Sequence, residues 1–193
     1  MRKEILDALK ELKTICLKKK EDSNFLSKET YLCTLNNGKK ITREKILKNG
    51  SNGSAVIIYP ITEEGKIIIS IEPRVFTERT VDIGFPAGYI EPNEKPIDAA
   101  RRELMEETGY DSNELIHIGS FYQDPGCSSA YNHYYLAKNC KKVTGQHLDK
   151  DEFVTYVLVD KNELDELVYK GYITSLNGIY MIEASKKYIR RRD

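Results

Sequence analysis

The sequence predicts an α/β domain built on a mixed β-sheet with helices on its faces. Strand-like segments stand both before and after one long helical segment, without the regular strand–helix alternation of a parallel sheet. The chain has 193 residues, of which 40% are hydrophobic, enough for one compact domain and a small additional lobe.

The first 50 residues are predicted to form an N-terminal lobe that consists of a helix and a β-hairpin. Residues 1–22 carry apolar side chains at helical spacing among many Lys and Glu, which indicates an amphipathic helix packed on its own protein rather than on a membrane. Segments 29–35 and 40–47 flank an Asn37-Gly38 turn, and this pattern favours a two-stranded hairpin.

The Gly-, Ser- and Asn-rich stretch 49–54 marks the boundary between the lobe, residues 1–50, and the main domain, residues 51–193. The main domain is predicted to contain, in order, strands at 55–61, 67–72 and 81–85, a helix at 96–108, strands at 115–122, 132–138 and 153–159, and helices at 161–169 and 178–190.

Composition excludes several classes of partner. The 30 Lys and Arg residues balance the 30 Asp and Glu residues, so no general attraction to nucleic acid or to an anionic membrane is expected. No secretory signal or membrane-spanning segment stands out, and the four cysteines form no CxxC or Cys/His cluster. We therefore expect free thiols and a cytoplasmic location.

Three carboxylates are placed together on the helix predicted at 96–108. Glu103, Glu106 and Glu107 are spaced i, i+3 and i+4, so they share one helical face. Oxygen ligands favour a hard cation, with Mg²⁺ or Mn²⁺ the natural candidates. A solvated acidic face is the alternative, and three acids alone would favour it. Arg101 or Arg102 could brace the cluster through charge-assisted hydrogen bonds, which moves the balance towards a site.

The segment 88–110 resembles the Nudix box, G-x5-E-x7-R-E-U-x-E-E-x-G-U, in which U is a bulky aliphatic residue. Eight positions are in register, and only Tyr110, at the final apolar position, departs from the pattern; the eight are Gly88, Glu94, Arg102, Glu103, Leu104, Glu106, Glu107 and Gly109. The resemblance implies a Nudix-type α/β/α sandwich around a mixed sheet.

The resemblance also implies a Mg²⁺-dependent hydrolase of nucleoside diphosphates linked to another moiety. In such proteins Glu103 and Glu107 ligate the metal and Glu106 assists, while Arg102 supports the catalytic set together with Glu94. The Pro-Ala-Gly turn could present a main-chain carbonyl to the same ions, and the resemblance implies that Ala87 does so.

Features outside the box resemble the ADP-ribose (ADP-sugar) pyrophosphatase branch. Pro125 lies 16 residues beyond Gly109, although Asp124-Pro125-Gly126 also fits an ordinary turn. Arg43, Glu44 and Arg74 match positions of that branch, and the resemblance implies that they bind substrate together with Pro125. An ordinary surface charge is the alternative for each charged residue taken alone. In relatives the N-terminal lobe crosses to a second subunit, so the resemblance implies a homodimer.

A carboxylate outside the box is needed to accept a proton from the attacking water. Asp149, Asp151 and Glu152 precede a predicted strand, and Glu152 matches the catalytic loop glutamate of the branch through the following Phe153-Val154. A solvated acidic loop is the alternative for each acid taken singly.

The sequence therefore predicts hydrolysis of ADP-ribose to AMP and ribose 5-phosphate. Another ADP- or GDP-sugar is the alternative substrate, and a non-catalytic nucleotide-sugar-binding regulatory module is a further alternative from a different class. Such modules usually lose box acids, whereas every acid is present here.

Overall fold

A computed structural model describes Lys3 and residues 25–34, 39–48 and 51–189. Its strands and helices are β1 (Leu26–Thr34), β2 (Lys40–Lys48), β3 (Ala55–Thr62), β4 (Ile67–Pro73), β5 (Val81–Gly84), β6 (Ala87–Tyr89), α1 (Pro96–Thr108), β7 (Tyr110–Asp111), β8 (Glu114–Tyr122), β9 (Tyr131–Lys142), β10 (Thr155–Val159), α2 (Lys161–Tyr169) and α3 (Leu176–Ile189).

β1 and β2 form the predicted antiparallel hairpin, in a sheet of their own. Leu26 pairs with Lys48 at the open end and Thr34 with Lys40 next to the turn. The hairpin meets the rest of the chain where Ile46 donates its N–H to the carbonyl of Cys127. The helix predicted at 1–22 and the Asn37-Gly38 turn lie outside the described residues.

The main sheet is mixed, as the sequence predicts. Its central order is β10-β4-β3-β9, with β7 and β8 both paired with β9; β3 and β9 run parallel and the other pairs are antiparallel. β3 and β4 pair at the turn between them, where Ile61 faces Ile67, and then take different partners. β3 pairs with β6 and β4 with β5, so the two strands diverge and leave a cleft between them.

Alternation along the central strands gives the sheet two apolar faces. Ile57 and Ile69 belong to the core that α2 and α3 cover, whereas Val56, Ile58 and Ile68 belong to the core that α1 covers. The result is the α/β/α arrangement expected from the resemblance.

Helix limits follow local chemistry. Pro96 opens α1, and Gly109 ends it in the left-handed conformation, at φ 70°. α3 begins two residues earlier than predicted, at Leu176, because Ser175 Oγ accepts a hydrogen bond from the N–H of Gly178 and caps the helix.

Two expectations about the chain as a whole can be compared with the described residues. Cys33, Cys127 and Cys140 are free thiols, as predicted, and Cys16 lies outside the described residues. None of the helices within the described ranges combines the length and apolar character that crossing a bilayer requires.

Candidate active site

The divergence of β3 and β4 opens a cleft of about 880 Å³ beside the box helix. Carboxylates from four parts of the chain line it, on β4, on the segment between β6 and α1, on α1 and on the loop before β10; they are Glu72, Glu91, Glu103, Glu107, Asp149, Asp151 and Glu152. The remaining wall contains the aromatic residues Phe25, Tyr89 and Phe153 and the amides Gln123, Asn132 and Asn177.

Glu103 and Glu107 are buried at the cleft end of α1, where they are only 6% and 5% exposed. Burial raises the pKa of Glu103 to about 7, and burial together with the nearby charge of Glu72 raises the pKa of Glu107 well above its usual value. One oxygen of Glu107, Oε2, has no hydrogen-bond partner. These two acids are therefore not part of a solvated acidic face.

Of the two arginines that the sequence offers to brace the acids, Arg102 is the one that contacts them. Its Nε and Nη2 each donate to a carboxylate oxygen of Glu94 at 2.9 Å, and its Nη1 donates to Glu103 at 2.7 Å and to Glu106 at 2.9 Å. The hydrogen bond from Arg102 lowers the pKa of Glu94. The carbonyl of Tyr89 accepts a further hydrogen bond from Arg102 at 3.0 Å, so the arginine also fixes β6.

Arg101, the other candidate brace, points away from the acids. Its guanidinium makes a bidentate pair with Asp111, with both N–O distances at 2.7 Å. Glu106 is also set apart from the buried pair, because its side chain is 38% exposed and does not line the cleft. Its carboxylate is linked to the buried pair through Arg102, which bonds to both Glu103 and Glu106.

Gly88 allows β6 to approach α1. A Cβ atom built at this residue would overlap the carboxylate of Glu103, so a side chain there would displace that carboxylate. The glycine at the start of the box is therefore required by the close approach of backbone and carboxylate.

Ala87 lies in strand β6 and not in the turn that the sequence suggests. Residues on both sides of it bond to β3 or to the residue before β3, since Ile58 donates to the carbonyl of Pro86 and Ile90 donates to the carbonyl of Ser54. Alternation along a strand turns the main-chain groups of Ala87 away from β3, and the Ala87 N–H faces the Glu107 carboxylate, whose pKa it lowers. Its carbonyl is thus directed to the side of the strand where the buried acids lie.

Glu72 is a cleft acid that the sequence analysis missed. It shares its face of β4 with Ile68, which packs under α1, and burial raises its pKa. Its carboxylate pairs with Arg74 at 2.6 Å, which brings this predicted substrate-binding residue into the cleft wall. The sequence does contain a signal for Glu72. In the predicted strand IIISIE this charged residue alternates in step with apolar Ile68, so it lies on a face that is expected to be buried.

The acidic loop before β10 is fastened to the end of α1. Gln146 Nε2 donates to the carbonyls of Glu107, at 2.6 Å, and Val154, at 3.0 Å, and His147 N–H donates to Glu106 O at 2.9 Å. These bonds hold the loop against the end of the helix that carries the buried acids.

All three loop acids line the cleft, but their electrostatic contacts differ. The charge of Glu152 raises the pKa of Glu72, Glu103 and Glu107, so its carboxylate is near all three. Glu152 Oε2 accepts the N–H of Asp149 at 3.0 Å, which orients the side chain within the loop.

The donor set of the cleft fits a divalent cation. Glu103 and Glu107 crowd like charges in a buried position, and the unpartnered oxygen of Glu107 is free to coordinate. Within the described ranges, no three His, Cys, Asp or Glu side chains are gathered closely enough to hold an ion in this conformation. Glu103 and Glu107 are the buried carboxylates on the helix side of the cleft, and the Ala87 carbonyl lies on the same side of β6.

Three predicted substrate-binding residues lie outside the cleft of their own chain. Arg43 bonds to the carbonyl of Thr42 and Glu44 pairs with Lys28, all on the hairpin. Pro125 lies in the loop that supports the hairpin through Cys127, and does not line the cleft.

Comparisons with known proteins agree with this geometry. A family model described as the NUDIX domain matches residues 51–176. The ADP-ribose pyrophosphatase of Bacillus subtilis (strain 168) is 36% identical over 150 residues, which are 77% of this chain and 78% of that protein. The methanol dehydrogenase activator of Bacillus methanolicus is 36% identical over 130 residues, 67% of this chain and 68% of that protein.

A solved structure supports the fold independently. A crystal structure of an ADP compounds hydrolase superposes with a TM-score of 0.75 at 22% sequence identity, and the match covers 90% of this chain and 91% of that one. The α/β/α sandwich predicted from the resemblance is thereby confirmed.

Proposed function

The chain belongs to the Nudix family and is a Nudix hydrolase, and from this premise we propose that it hydrolyses ADP-ribose to AMP and ribose 5-phosphate. The observation that carries the proposal is the buried pair Glu103 and Glu107, with an unpartnered carboxylate oxygen at the cleft. The name of the Bacillus subtilis relative supports ADP-ribose as the substrate. One water is consumed, and one bridging P–O bond of the diphosphate is broken.

The proposed cation is Mg²⁺, with Mn²⁺ as the alternative, held by Glu103, Glu107 and the carbonyl of Ala87. A bound divalent ion neutralises the diphosphate charge and orients the attacking water. The residues around it keep this arrangement in place: Arg102 holds Glu103 at 2.7 Å and links it to Glu94 and Glu106.

Glu152 is the proposed acceptor of the proton from water. Its charge reaches both buried box acids, and the N–H of Asp149 holds one of its oxygens, which leaves the other oxygen for the water. Asp149 and Asp151 are the alternatives within the same loop. Glu106 and Arg102 complete the proposed catalytic set, although neither is needed as the base.

Arg74 is proposed to bind the negative charge of the substrate from the cleft wall. Arg43, Glu44 and Pro125 are proposed to contact substrate bound to a second subunit, since they lie outside their own cleft. A homodimer follows from that arrangement. Exposed apolar side chains on and beside the hairpin support the proposed dimer: Phe25, Leu26, Tyr31, Leu32 and Ile46.

We propose a division of the chain into a lobe at 1–50 and a hydrolase domain at 51–193. We also propose that the enzyme is located in the cytoplasm, where the three free thiols would persist.

A substrate panel tests the proposed activity. Purified protein with Mg²⁺ should release AMP from ADP-ribose faster than nucleotide from ADP-glucose, GDP-mannose, coenzyme A or ATP. Faster turnover of a GDP-sugar would reassign the substrate. Binding without turnover of any of these compounds would favour a regulatory module. The Bacillus methanolicus relative is named as an activator of another enzyme, which is a regulatory role.

The metal assignment has a readout apart from turnover. Mg²⁺ should raise the melting temperature of the wild-type protein, because a ligand that binds only the folded state stabilises it. Glu107→Gln should keep the fold, lose most turnover and lose this stabilisation. Full stabilisation by Mg²⁺ in that variant would refute the assignment of Glu107.

A further inference from the structure

One end of the cleft is built from three amide side chains that form a single hydrogen-bonded relay. Lys48 Nζ donates to Gln123 Oε1 at 3.0 Å, Gln123 Nε2 donates to Asn132 Oδ1 at 2.6 Å, and Asn132 Nδ2 donates to Asn177 Oδ1 at 3.2 Å. Gln123 Nε2 also donates to the carbonyl of Gly53 at 3.0 Å. The relay joins the hairpin, β9 and α3.

Lys48 and the carbonyl of Gly53 together fix the direction of every amide in this relay. An ammonium group can only donate, so the atom of Gln123 that faces it must be the carbonyl oxygen. The –NH₂ group of Gln123 therefore faces Asn132, and Asn132 in turn must present its own –NH₂ group to Asn177. The orientation at the last amide is thus set by a cation in the hairpin together with a main-chain carbonyl.

In Asn177 the side-chain oxygen is therefore bonded within the protein, whereas the –NH₂ group is available to a ligand in the cleft. Its Oδ1 accepts from Asn132 and also from the hydroxyl of Tyr134, at 2.7 Å. Its Nδ2 has no acceptor within the described part of the chain, and the residue lines the cleft. Ser175 caps the first turn of α3, so the backbone that carries Asn177 is fixed.

The location of this donor limits what it can contact. Ala55 of β3 pairs with Asn132 on one side and with Tyr89 of β6 on the other, so the relay lies two strand spacings, about 10 Å, from β6. In the proposed function the diphosphate of the substrate binds near Glu103 and Glu107, beside β6. Leu176, which is 81% exposed, and Phe25 line the cleft together with the relay, so its walls are partly apolar.

We propose that Asn177 determines specificity by donating a hydrogen bond to an uncharged acceptor atom of the substrate, on the base or on the sugar. Lys48 acts as a positioning residue, since with the Gly53 carbonyl it sets the direction of the relay without reaching the substrate. This inference rests on the proposed function, because it assigns a contact within the same cleft.

Two Asn177 variants test the contact. Asn177→Asp keeps an oxygen for Asn132 and Tyr134 but has no donor, whereas Asn177→Ala removes the donor without adding charge. Both should raise the KM for ADP-ribose about 10-fold, the effect of losing one neutral hydrogen bond, with kcat within about twofold of wild type. Asn113→Asp and Asn113→Ala, on a surface away from the cleft, are the matched controls and should leave KM unchanged.

The pattern across the two variants separates the explanations. A raised KM in Asn177→Asp alone would indicate general charge repulsion, and a raised KM in Asn177→Ala alone would indicate damage to the relay; either result overturns the proposal. An unchanged KM in both also overturns it.

Substrate analogues then show which half of the substrate carries the acceptor. The penalty caused by Asn177→Ala is measured with ADP-ribose, with GDP-ribose, in which the base is changed, and with ADP-glucose, in which the sugar is changed. The analogue with the smaller penalty identifies the contacted half.

Lys48 variants test the relay itself. Lys48→Met should raise KM about threefold at unchanged kcat, and Lys48→Arg should restore the wild-type KM because guanidinium also only donates. An unchanged KM in Lys48→Met would remove Lys48 from the proposal. Absence of ADP-ribose hydrolysis by the wild-type protein refutes the proposed function together with this inference, whereas hydrolysis with unchanged KM in both Asn177 variants refutes the inference alone.

Discussion

The side-chain amide of Gln146 lies 2.6 Å from the main-chain carbonyl of Glu107, so the loop that carries the proposed base is fastened to the helix that carries the proposed metal ligands. The same amide donates to Val154, directly before β10. The proposed base and the proposed metal ligands are therefore tied to each other through Gln146, which matters because catalysis depends on placement within about 1 Å.

Loss of this link should lower turnover more than substrate affinity. Gln146→Met keeps the length of the side chain but removes both donors, so we expect kcat to fall about 10- to 100-fold with a small change in KM. Two unpaired carbonyls should also cost about 1–3 kcal/mol in the free energy of unfolding. Steady-state kinetics and denaturant unfolding measure the two effects. Thr144→Val, in the same loop, is the control, and equal kinetics in both variants would show that the link has no catalytic role.

Glu152→Gln should lower kcat by about 10²–10⁴-fold if Glu152 accepts the proton, while ADP-ribose binding changes little. Asp149→Asn and Asp151→Asn should be milder. The rates are measured at saturating Mg²⁺, because a weakened metal site would otherwise imitate a lost base. Glu63→Gln, a surface glutamate paired with Lys141, is the matched control.

The three loop variants discriminate among the candidate bases. If Asp149→Asn is the damaging change, the base is Asp149 and the resemblance misaligns the loop by a few residues. If none of the three variants matters, the proton acceptor lies among the helix acids, and Glu106 is tested next.

Gly88→Ala should disable the metal site without unfolding the protein. The added methyl group would overlap the Glu103 carboxylate, which is the end of a flexible side chain and can move aside. We therefore expect a melting temperature close to wild type in the absence of Mg²⁺, loss of the stabilisation by Mg²⁺, and loss of most turnover. Gly145→Ala is the control, since a methyl group there meets no atom within 4 Å. Wild-type turnover in Gly88→Ala would show that Glu103 is dispensable.

Leu32→Glu should dissociate the proposed dimer. Leu32 is 70% exposed on the hairpin, and burial of such a side chain between subunits would contribute about 1.5–3 kcal/mol, whereas a buried carboxylate would oppose association. Sedimentation velocity at micromolar concentration should show a wild-type dimer and a monomeric variant with reduced turnover. Tyr169→Glu, at an exposed site outside the hairpin, should remain dimeric. A fully active wild-type monomer would defeat the proposed trans role of Arg43 and Glu44.

Local signals explain which elements could be predicted from the sequence. Helix α1 has the predicted limits because Pro96 and Gly109 each act through their own backbone chemistry. The sequence predicts a turn where strand β6 lies, because Ala87–Tyr89 becomes a strand only through its pairing with Ala55–Ile57. A three-residue strand has too little internal pattern to be recognised without its partner.

The candidate site divides in a similar way. The spacing of Glu103 and Glu107 indicated a shared helical face, but it could not show that Glu106 would turn to Arg102 instead of lining the cleft. The relay through Gln123, Asn132 and Asn177 could not be predicted from the sequence. Its members are far apart along the chain, and amide residues form no recognisable sequence motif. Only the sheet topology brings them together.

The strand geometry of β6 also affects how mutational tolerance at Ala87 should be interpreted. The groups that this residue directs towards the acids are its peptide N–H and carbonyl, which every residue except proline supplies equally well. A saturation scan at position 87 would therefore report only on the room available for a side chain, and a tolerant result would conceal the use of the main chain. Replacement of the peptide N–H by an ester oxygen, which deletes the donor to Glu107 and keeps the side chain, is the substitution that addresses this position directly.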